Sequence, residues 1–182
     1  MEILTKRCRV WIPSPSDANS MLDYVQRNKT HLTPWEPIKH ANYFTAAFWQ
    51  AELTLSQRAA QMGVAYKFVF SLQDSEQIIG VCNFTSIVRG AFQACYLGYS
   101  LDEAHQGQGI MTEVVDASIK AMFEEQNLHR IIAAYIPENH RSAAILSKVG
   151  FEKEGYAKSY LKINGQWRDH ILMAKINTTD HH

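Results

Sequence analysis

The stretch Tyr99-Ser100-Leu101-Asp102-Glu103-Ala104-His105-Gln106-Gly107-Gln108-Gly109-Ile110-Met111-Thr112-Glu113 decides the fold. It ends a β-rich run, turns on two glycines and opens a helix whose apolar side chains recur at three- and four-residue spacings. A glycine-rich turn before a helix exposes several backbone N–H groups beside the positive end of the helix dipole, which suits phosphate or pyrophosphate. We therefore predict an anion-binding loop over residues 106–112, although a lone Gly-x-Gly is equally typical of a tight turn without a ligand.

Two familiar phosphate-binding loops are excluded by the residues around the glycines. A P-loop carries Lys and then Ser or Thr after its last glycine, whereas Gly109 is followed by Ile110 and Met111. The dinucleotide-binding fingerprint has a third glycine where Thr112 stands. The loop is neither of these, so its ligand has to be inferred from other features of the sequence.

Outside the loop, hydrophobic periodicity and turn residues predict alternating strands and helices. Before it we predict a strand at 7–12, a helix from the Ser14 cap to about 28, an irregular proline segment at 32–37, a helix at 43–62, and strands at 66–72, 77–86 and 91–101. After it we predict a helix at 110–125, a strand at 131–136, a helix at 139–149, and a hairpin of 156–163 with 166–175 around Asn164-Gly165. This order predicts a mixed α/β sheet with helices on both faces, in a single domain over residues 1–182 with its core at about 7–175.

The length and composition of the chain favour a single domain, and its net charge is balanced. The chain has 182 residues, 46% of them hydrophobic, and 18 basic residues balance 18 acidic ones. A neutral balance gives no overall attraction to nucleic acid or to anionic membranes. We find no apolar run close to the roughly 20 residues that span a bilayer, and no apolar segment after the first basic residues that marks a signal peptide. Three cysteines without a CxxC pair indicate free buried thiols, so we expect a cytoplasmic protein.

The loop and a second motif resemble the acetyl-coenzyme A site of the GNAT superfamily of N-acetyltransferases. Gln106-x-x-Gly109-x-Met111 follows the strand Leu97-Gly98-Tyr99-Ser100-Leu101, and Asn139-x-x-Ser142 opens a helix that Gly150-Phe151 follows. The likeness extends over residues 7–174. It implies the GNAT fold, a mostly antiparallel mixed sheet of about seven strands, flanked by helices and splayed near its middle to admit the pantetheine arm. It also implies acetyl-CoA as cosubstrate and no metal.

The resemblance assigns residues to the donor and to the chemistry. Its acetyl-CoA-binding positions are Tyr99, Ser100, Leu101, Gln106, Gly107, Gln108, Gly109, Ile110, Met111, Thr112, Asn139 and Ser142. A backbone N–H near 99–101 would polarise the thioester carbonyl. Met111 stands where Gly or Ala is usual, which a core-facing side chain would tolerate. Leu146 stands where many members carry a tyrosine general acid, and Ser142 is the nearest substitute, so we expect Ser142 to be the catalytic acid.

Four further segments narrow the resemblance to the ribosomal-protein alanine N-acetyltransferases within the superfamily. They are Pro34–Pro37, Cys95–Tyr99, Phe151–Lys158 and Asn164–His170. This likeness implies acetyl transfer to the N-terminal alanine amine of a ribosomal protein by direct attack in a ternary complex, and it raises the prospect of ribosome association. A small-molecule amine, another protein N-terminus, and a non-catalytic ribosome-associated module that binds acyl-CoA stay open as alternatives. The oligomeric state and the native or added origin of His181-His182 stay open too.

The acceptor side offers two candidate carboxylates. An α-amine has an ordinary pKa of about 7.7–8.0, against about 10.4 for lysine, so a modest base or a water chain suffices to deprotonate it. Glu36, on a loop between two prolines, would hold or deprotonate the substrate ammonium, unless it is a solvated loop carboxylate. Asp169 would serve likewise, but a cross-strand pair with a basic residue is the simpler interpretation. The identity of the general base stays open, and no HExxH motif or Cys/His pairing indicates a metal site.

Overall fold

The protein is organised around one large sheet. A computed structural model describes residues 1–178, so the pair His181-His182 lies outside the described residues. The strands are β1 Glu2–Leu4, β2 Cys8–Trp11, β3 Tyr66–Leu72, β4 Gly80–Val88, β5 Ala94–Leu101, β6 Arg130–Tyr135, β7 Glu152–Ile163 and β8 Gln166–Ile176. Within residues 1–178 they form an eight-stranded sheet in the order β1-β2-β3-β4-β5-β6-β8-β7.

The helices lie close to their predicted positions. They are α1 Ala18–Arg27, α2 Lys29–Leu32, α3 Ala46–Gln61, α4 Ile110–Gln126 and α5 His140–Lys148. Residues 32–37, predicted to be irregular, contain the 3₁₀ turn Thr33–Trp35, because a proline in the first helical positions loses no hydrogen bond. The start of α3 is also later than predicted. Tyr43 belongs to the 3₁₀ turn Ala41–Phe44, and the Thr45 hydroxyl caps α3 by accepting from the Phe48 N–H at 3.3 Å.

The sheet has one strand more than the sequence predicts. β1 pairs antiparallel with β2, with Glu2 opposite Trp11 and Leu4 opposite Arg9. This strand has only three residues and carries a glutamate, so it lacks the alternation that marks longer strands. The expectation of about seven strands is therefore corrected to eight within residues 1–178, while the mostly antiparallel mixed sheet is confirmed.

The sheet opens in its middle, between β5 and β6. These strands pair in parallel from Ala94↔Arg130 to Leu97↔Ala133. Beyond that point β5 continues against β4 alone, up to Leu101 opposite Gly80, while β6 continues against β8. The predicted splay is therefore confirmed, and we call the opening between residues 98–101 and 134–135 the wedge.

Helices cover both faces of the sheet, as predicted. On one face, α4 and α5 bury apolar side chains at helical spacing, among them Ile110, Met111, Val114, Val115, Ile119, Met122 and Leu146. On the other face, α1 and α3 bury Ala18, Met21, Tyr24, Val25, Trp49 and Leu53. Neighbouring β3 residues divide accordingly, with Phe68 in the first cluster and Val69 in the second. We refer to these sides as the α4/α5 face and the α1/α3 face.

Two further predictions concern thiols and membranes. Cys8, Cys82 and Cys95 are free and buried, which confirms the interpretation drawn from their number and spacing. Burial raises the pKa of both Cys82 and Cys95 to about 12, so these thiols stay protonated. Among residues 1–178, none of the helices combines the length and apolar character needed to cross a bilayer.

Candidate active site

The glycines of the loop adopt a backbone conformation that other residues avoid. Gly107 has φ +74° and Gly109 has φ +76°, both in the left-handed region. A Cβ atom at Gly107 would meet no heavy atom within 4 Å, so the turn itself, and not crowding, requires the glycine. Gly109 is the N-cap of α4. The chain therefore enters α4 through a turn with open space beside it.

The first turn of α4 directs backbone donors toward this space. The first N–H groups of an α-helix, here those of Ile110, Met111 and Thr112, cannot reach an intrahelical carbonyl. Their position at the positive end of the dipole suits a pyrophosphate. Met111, the departure from the usual loop motif, is 3% exposed and packs in the α4/α5 face, which confirms that its side chain faces the core.

An ion pair that the sequence analysis missed holds the loop in place. The Arg7 guanidinium donates to the Gln108 carbonyl at 2.8 Å and to Glu113 Oε2 at 2.7 Å. Glu113 Oε1 accepts from the Thr5 hydroxyl at 2.7 Å and from the Arg7 backbone N–H at 2.8 Å. Burial by itself raises the pKa of Glu113, but these hydrogen bonds outweigh it and hold the pKa below its ordinary value. Arg7 and Glu113 lie 106 residues apart, so no local pattern reveals the pair.

The Gln106 side chain ties the loop to two helices. Its Nε2 lies 2.7 Å from His31 Nε2 on α2, and its Oε1 accepts a hydrogen bond from Arg141 in the first turn of α5. Because these contacts occupy the Gln106 side chain, the backbone N–H groups of 107–109 are the part of the loop available to a ligand.

Asn139 and Ser142 meet Tyr99 beside the wedge. Asn139 caps α5, with its Oδ1 accepting from the Ser142 N–H at 3.1 Å. The Tyr99 hydroxyl lies 2.8 Å from Ser142 Oγ. Burial raises the pKa of Tyr99 to about 12, although the hydrogen bond with Ser142 lowers it somewhat. Tyr99 is therefore a neutral hydroxyl that orients the Ser142 side chain.

Successive residues of β5 point to opposite faces at the wedge. Tyr99 reaches Ser142 on the α4/α5 face, whereas Ser100 Oγ lies 2.8 Å from the Tyr24 hydroxyl of α1. Leu101 is buried in the core cluster of the α4/α5 face. Beyond Leu97, β6 no longer pairs with β5, so backbone groups of 98–101 on that edge are directed into the wedge.

Glu36 directly follows the 3₁₀ turn Thr33–Trp35. Its side chain is 29% exposed and pairs with Lys39 Nζ at 3.3 Å. Its backbone carbonyl accepts from the Asn164 N–H at 2.9 Å, which joins this segment to the β7–β8 hairpin. After the larger effect of burial, the charge of Glu36 also raises the pKa of Tyr24 and of Tyr43. Glu36 is thus only partly exposed, and it lies close enough to α1 for its charge to act on Tyr24.

Asp169 has partners other than those predicted. Its carboxylate accepts from the Tyr156 hydroxyl at 2.5 Å and from the Ser159 backbone N–H at 2.7 Å, both across the hairpin. An irregular pairing after Ala157 brings this backbone donor to the carboxylate. The two hydrogen bonds lower the pKa of Asp169, and the neighbouring charges of Lys158 and Arg168 lower it further. Within the part of the chain that the structure describes, no three His, Cys, Asp or Glu side chains gather in a way that could hold a metal ion.

Comparison with known proteins identifies the family. Residues 9–152 match the family model described as the acetyltransferase (GNAT) domain, which is more than half of the chain. The chain belongs to the GNAT acetyltransferase family. It is 44% identical to the [ribosomal protein uS5]-alanine N-acetyltransferase of Escherichia coli K12 over 96% of this chain and 90% of that protein.

Solved structures agree with this assignment. A ribosomal-protein-S5-alanine acetyltransferase from Vibrio fischeri has a TM-score of 0.96 and 42% identity, with full coverage of both chains. Mycobacterium smegmatis RimJ, in complex with CoA-disulfide, has a TM-score of 0.88 and 28% identity over 96% of this chain and 84% of that one. The GNAT fold expected from the sequence is confirmed.

The residues present suit acetyl-CoA, the acetyl donor of GNAT acetyltransferases. The open left-handed turn at Gly107 and Gly109 leads into the backbone donors of α4, and the wedge gives an extended arm a route between β5 and β6. Ser142 lies beside the wedge with its hydroxyl already oriented. A thioester that reaches the backbone of 99–101 would therefore have a proton donor and amide groups beside it.

Proposed function

We propose that the protein transfers the acetyl group of acetyl-CoA to the α-amine of an N-terminal alanine, and that its acceptor is ribosomal protein uS5. The observation that carries the reaction class is the wedge, with the anion-binding loop at one end and the Tyr99–Ser142 pair beside it. The acceptor follows from 44% identity over nearly the whole chain to an enzyme whose name specifies that substrate.

The donor site in this proposal consists mainly of backbone. Its residues are Tyr99, Ser100, Leu101, Gln106, Gly107, Gln108, Gly109, Ile110, Met111, Thr112, Asn139 and Ser142. Backbone N–H groups of 107–112 hold the pyrophosphate, since a glycine turn before a helix offers donors without a basic side chain. Asn139 and the 99–101 edge line the route of the pantetheine arm.

The chemistry requires a neutral amine, a polarised carbonyl and a proton for the leaving sulfur. The amine nitrogen bonds the acetyl carbon, the carbon–sulfur bond breaks, and the Ser142 hydroxyl passes a proton to the sulfur. The amine loses one proton to solvent, and Ser142 regains one from solvent, so the serine ends the step as a neutral hydroxyl. A backbone N–H of 99–101 stabilises the charge on the carbonyl oxygen. Many family members carry a tyrosine acid at the position that Leu146 occupies here. Ser142, which Tyr99 keeps oriented, supplies the acid instead. Holding the two reactants together supplies much of the acceleration.

Glu36 is the proposed electrostatic guide for the acceptor. A carboxylate near the channel favours an ammonium that enters before it loses its proton. The Lys39 contact at 3.3 Å offsets part of that charge, so the effect of Glu36 is on acceptor binding more than on the chemical step. We also propose that residues 1–182 form one domain, that the protein is cytoplasmic, and that it meets the ribosome through this protein substrate.

Mass spectrometry of a peptide pair tests the proposal. The wild-type protein is incubated with acetyl-CoA and an alanine-first peptide from the uS5 N-terminus, and with the same peptide already acetylated at its α-amine as a control. We expect one acetyl group on the free α-amine and none on the blocked peptide or on its lysines. A serine-first peptide and small amines distinguish the other acceptors, and acetyl-CoA binding without any transfer would leave only the non-catalytic binding module.

A further inference from the structure

The α1/α3 side of β5 is open where the strand leaves β6. Tyr96, Gly98 and Ser100 share this side of the strand because side chains alternate. Tyr96 is 41% exposed, and a Cβ atom at Gly98 would meet no heavy atom within 4 Å. Ser100 follows, half-buried. This side of β5 therefore offers an open strip of strand surface that ends at a hydroxyl group, and we call this strip the groove.

That hydroxyl is held by a buried tyrosine. Tyr24 of α1 is 1% exposed, and its hydroxyl lies 2.8 Å from Ser100 Oγ. Burial raises the pKa of Tyr24, so the phenol stays protonated at neutral pH. The contact between two hydroxyls uses only one of their protons. The pair therefore retains one O–H and several lone pairs for a third partner.

The donor and the acceptor must reach β5 from different sides. In the proposed function, the anion-binding loop, Asn139 and Ser142 take the donor along the α4/α5 face. The α1/α3 side of β5 is then the side left for the amine. An attacking amine keeps its nitrogen lone pair for the carbonyl carbon, so its N–H groups need an acceptor atom close to the thioester.

We infer that Ser100 Oγ binds the α-amine of the acceptor beside Gly98, and that Tyr24 is the positioning residue that orients this serine. Ser100 accepts an N–H of the amine, which directs the nitrogen lone pair toward the wedge. The first side chain of the acceptor lies over Gly98, where the absence of a Cβ atom leaves open space. The inference rests on the proposed function and makes it more specific, because it assigns acceptor recognition to β5 and α1.

Steady-state kinetics with an alanine-first peptide test the hydroxyl pair. We expect Ser100→Ala and Tyr24→Phe each to raise the peptide KM about tenfold, the value of one net hydrogen bond. The acetyl-CoA affinity in calorimetry stays unchanged, because Ser100 belongs to the donor site through its backbone, which the substitution keeps. Ser100→Thr keeps the hydroxyl, so we expect its peptide KM to stay close to the wild-type value. The double variant is no worse than Ser100→Ala alone, because both changes remove the same interaction.

Tyr66→Phe is the matched control. Tyr66 is also buried, and its hydroxyl donates to Gln126 Oε1 at 2.6 Å, at the end of α4 far along the chain from β5. We expect the loss of the Tyr66 hydroxyl to lower the stability of the protein without changing the peptide KM. If Tyr24→Phe and Ser100→Ala likewise lose only stability, the inference is wrong while the proposed function stands. If the wild-type protein acetylates no alanine-first peptide, the proposed function fails and the inference fails with it.

A second variant tests the groove without removing a hydrogen bond. Gly98 has no positive φ, so the strand accepts a side chain there, and Gly98→Val places one over the groove. We expect a peptide KM raised about tenfold or more at wild-type acetyl-CoA affinity, since the valine occupies the space of the first acceptor side chain. An unchanged peptide KM in a folded Gly98→Val protein would place the acceptor elsewhere.

Discussion

Replacing Glu113 by glutamine tests whether a negative charge holds the anion-binding loop in place. The carboxylate accepts from the Thr5 hydroxyl, the Arg7 backbone N–H and the Arg7 guanidinium. A hydrogen bond to a charged group contributes about 1.5–3 kcal/mol. The Arg7 side chain is 40% exposed and can turn to water, whereas the carboxylate is only 20% exposed. We therefore expect Glu113→Gln to lower the free energy of unfolding by about 2–3 kcal/mol, roughly the value of one such bond.

Urea unfolding at several pH values measures this change. The pKa of Glu113 is lower in the folded protein than in the unfolded chain, so its ionised form stabilises the fold above the unfolded-chain pKa of about 4.3. The difference between wild type and Glu113→Gln is thus constant from pH 7 to about 5. It narrows as the pH falls further and the folded carboxyl takes up its proton.

Asp116→Asn supplies the control on the same helix. Asp116 pairs with Lys120 at 2.7 Å, and that lysine is 65% exposed, so solvent screens the pair and we expect a much smaller loss than for Glu113→Gln. Equal effects of Glu113→Gln and Asp116→Asn at pH 7, or a difference that does not change below pH 5, would refute the reasoning. The loop would then be held by packing and not by the charge.

The other predictions concern the donor, the acid and the acceptor. A proline at position 109 cannot adopt the φ of +76° that Gly109 has, so we expect Gly109→Pro to lose acetyl-CoA binding while circular dichroism shows a folded protein. An unaltered acetyl-CoA affinity in calorimetry would show that the pyrophosphate binds elsewhere. Ser142→Ala lowers kcat by about ten- to a hundredfold, and an unaffected rate in a variant that still binds acetyl-CoA would assign the acid to another group. Glu36→Gln raises the peptide KM and shifts the pH profile of the rate between about pH 6 and 9, at unchanged acetyl-CoA affinity. If Glu36→Gln has the wild-type peptide KM and the wild-type pH profile, the Glu36 carboxylate has no role in the reaction.

The elements that the sequence predicts well are those with long periodic patterns. The apolar spacing of 110–125 marks α4 closely, and Asn164-Gly165 marks the β7–β8 turn. The glycine loop is predictable for the same reason, because its geometry depends on neighbouring residues. β1 is missed because three residues carry too little alternation.

The pairs that complete the candidate site join distant parts of the chain. Tyr99 and Ser142 lie 43 residues apart, and Tyr24 and Ser100 lie 76 apart. Which side chains meet depends on the register of β5 and on how α1 and α5 pack against it, and neither has a local signal. The glycine spacing and the family resemblance therefore predict a candidate donor loop, while the pairs proposed for the acceptor side are found only in the folded arrangement.

The short parallel junction between β5 and β6 also has a mechanical consequence. Strands β1–β5 and β6–β8 form two antiparallel halves, and the strand pairing that joins them spans Ala94–Leu97 and Arg130–Ala133. The Gln93 carbonyl adds backbone bonds from the His129 and Arg130 N–H groups, and the helices pack against both halves. A molecule seated in the wedge touches both halves, so its binding energy adds to the stiffness of the whole sheet. We therefore expect the sheet to be more rigid with the donor bound than after the product has left.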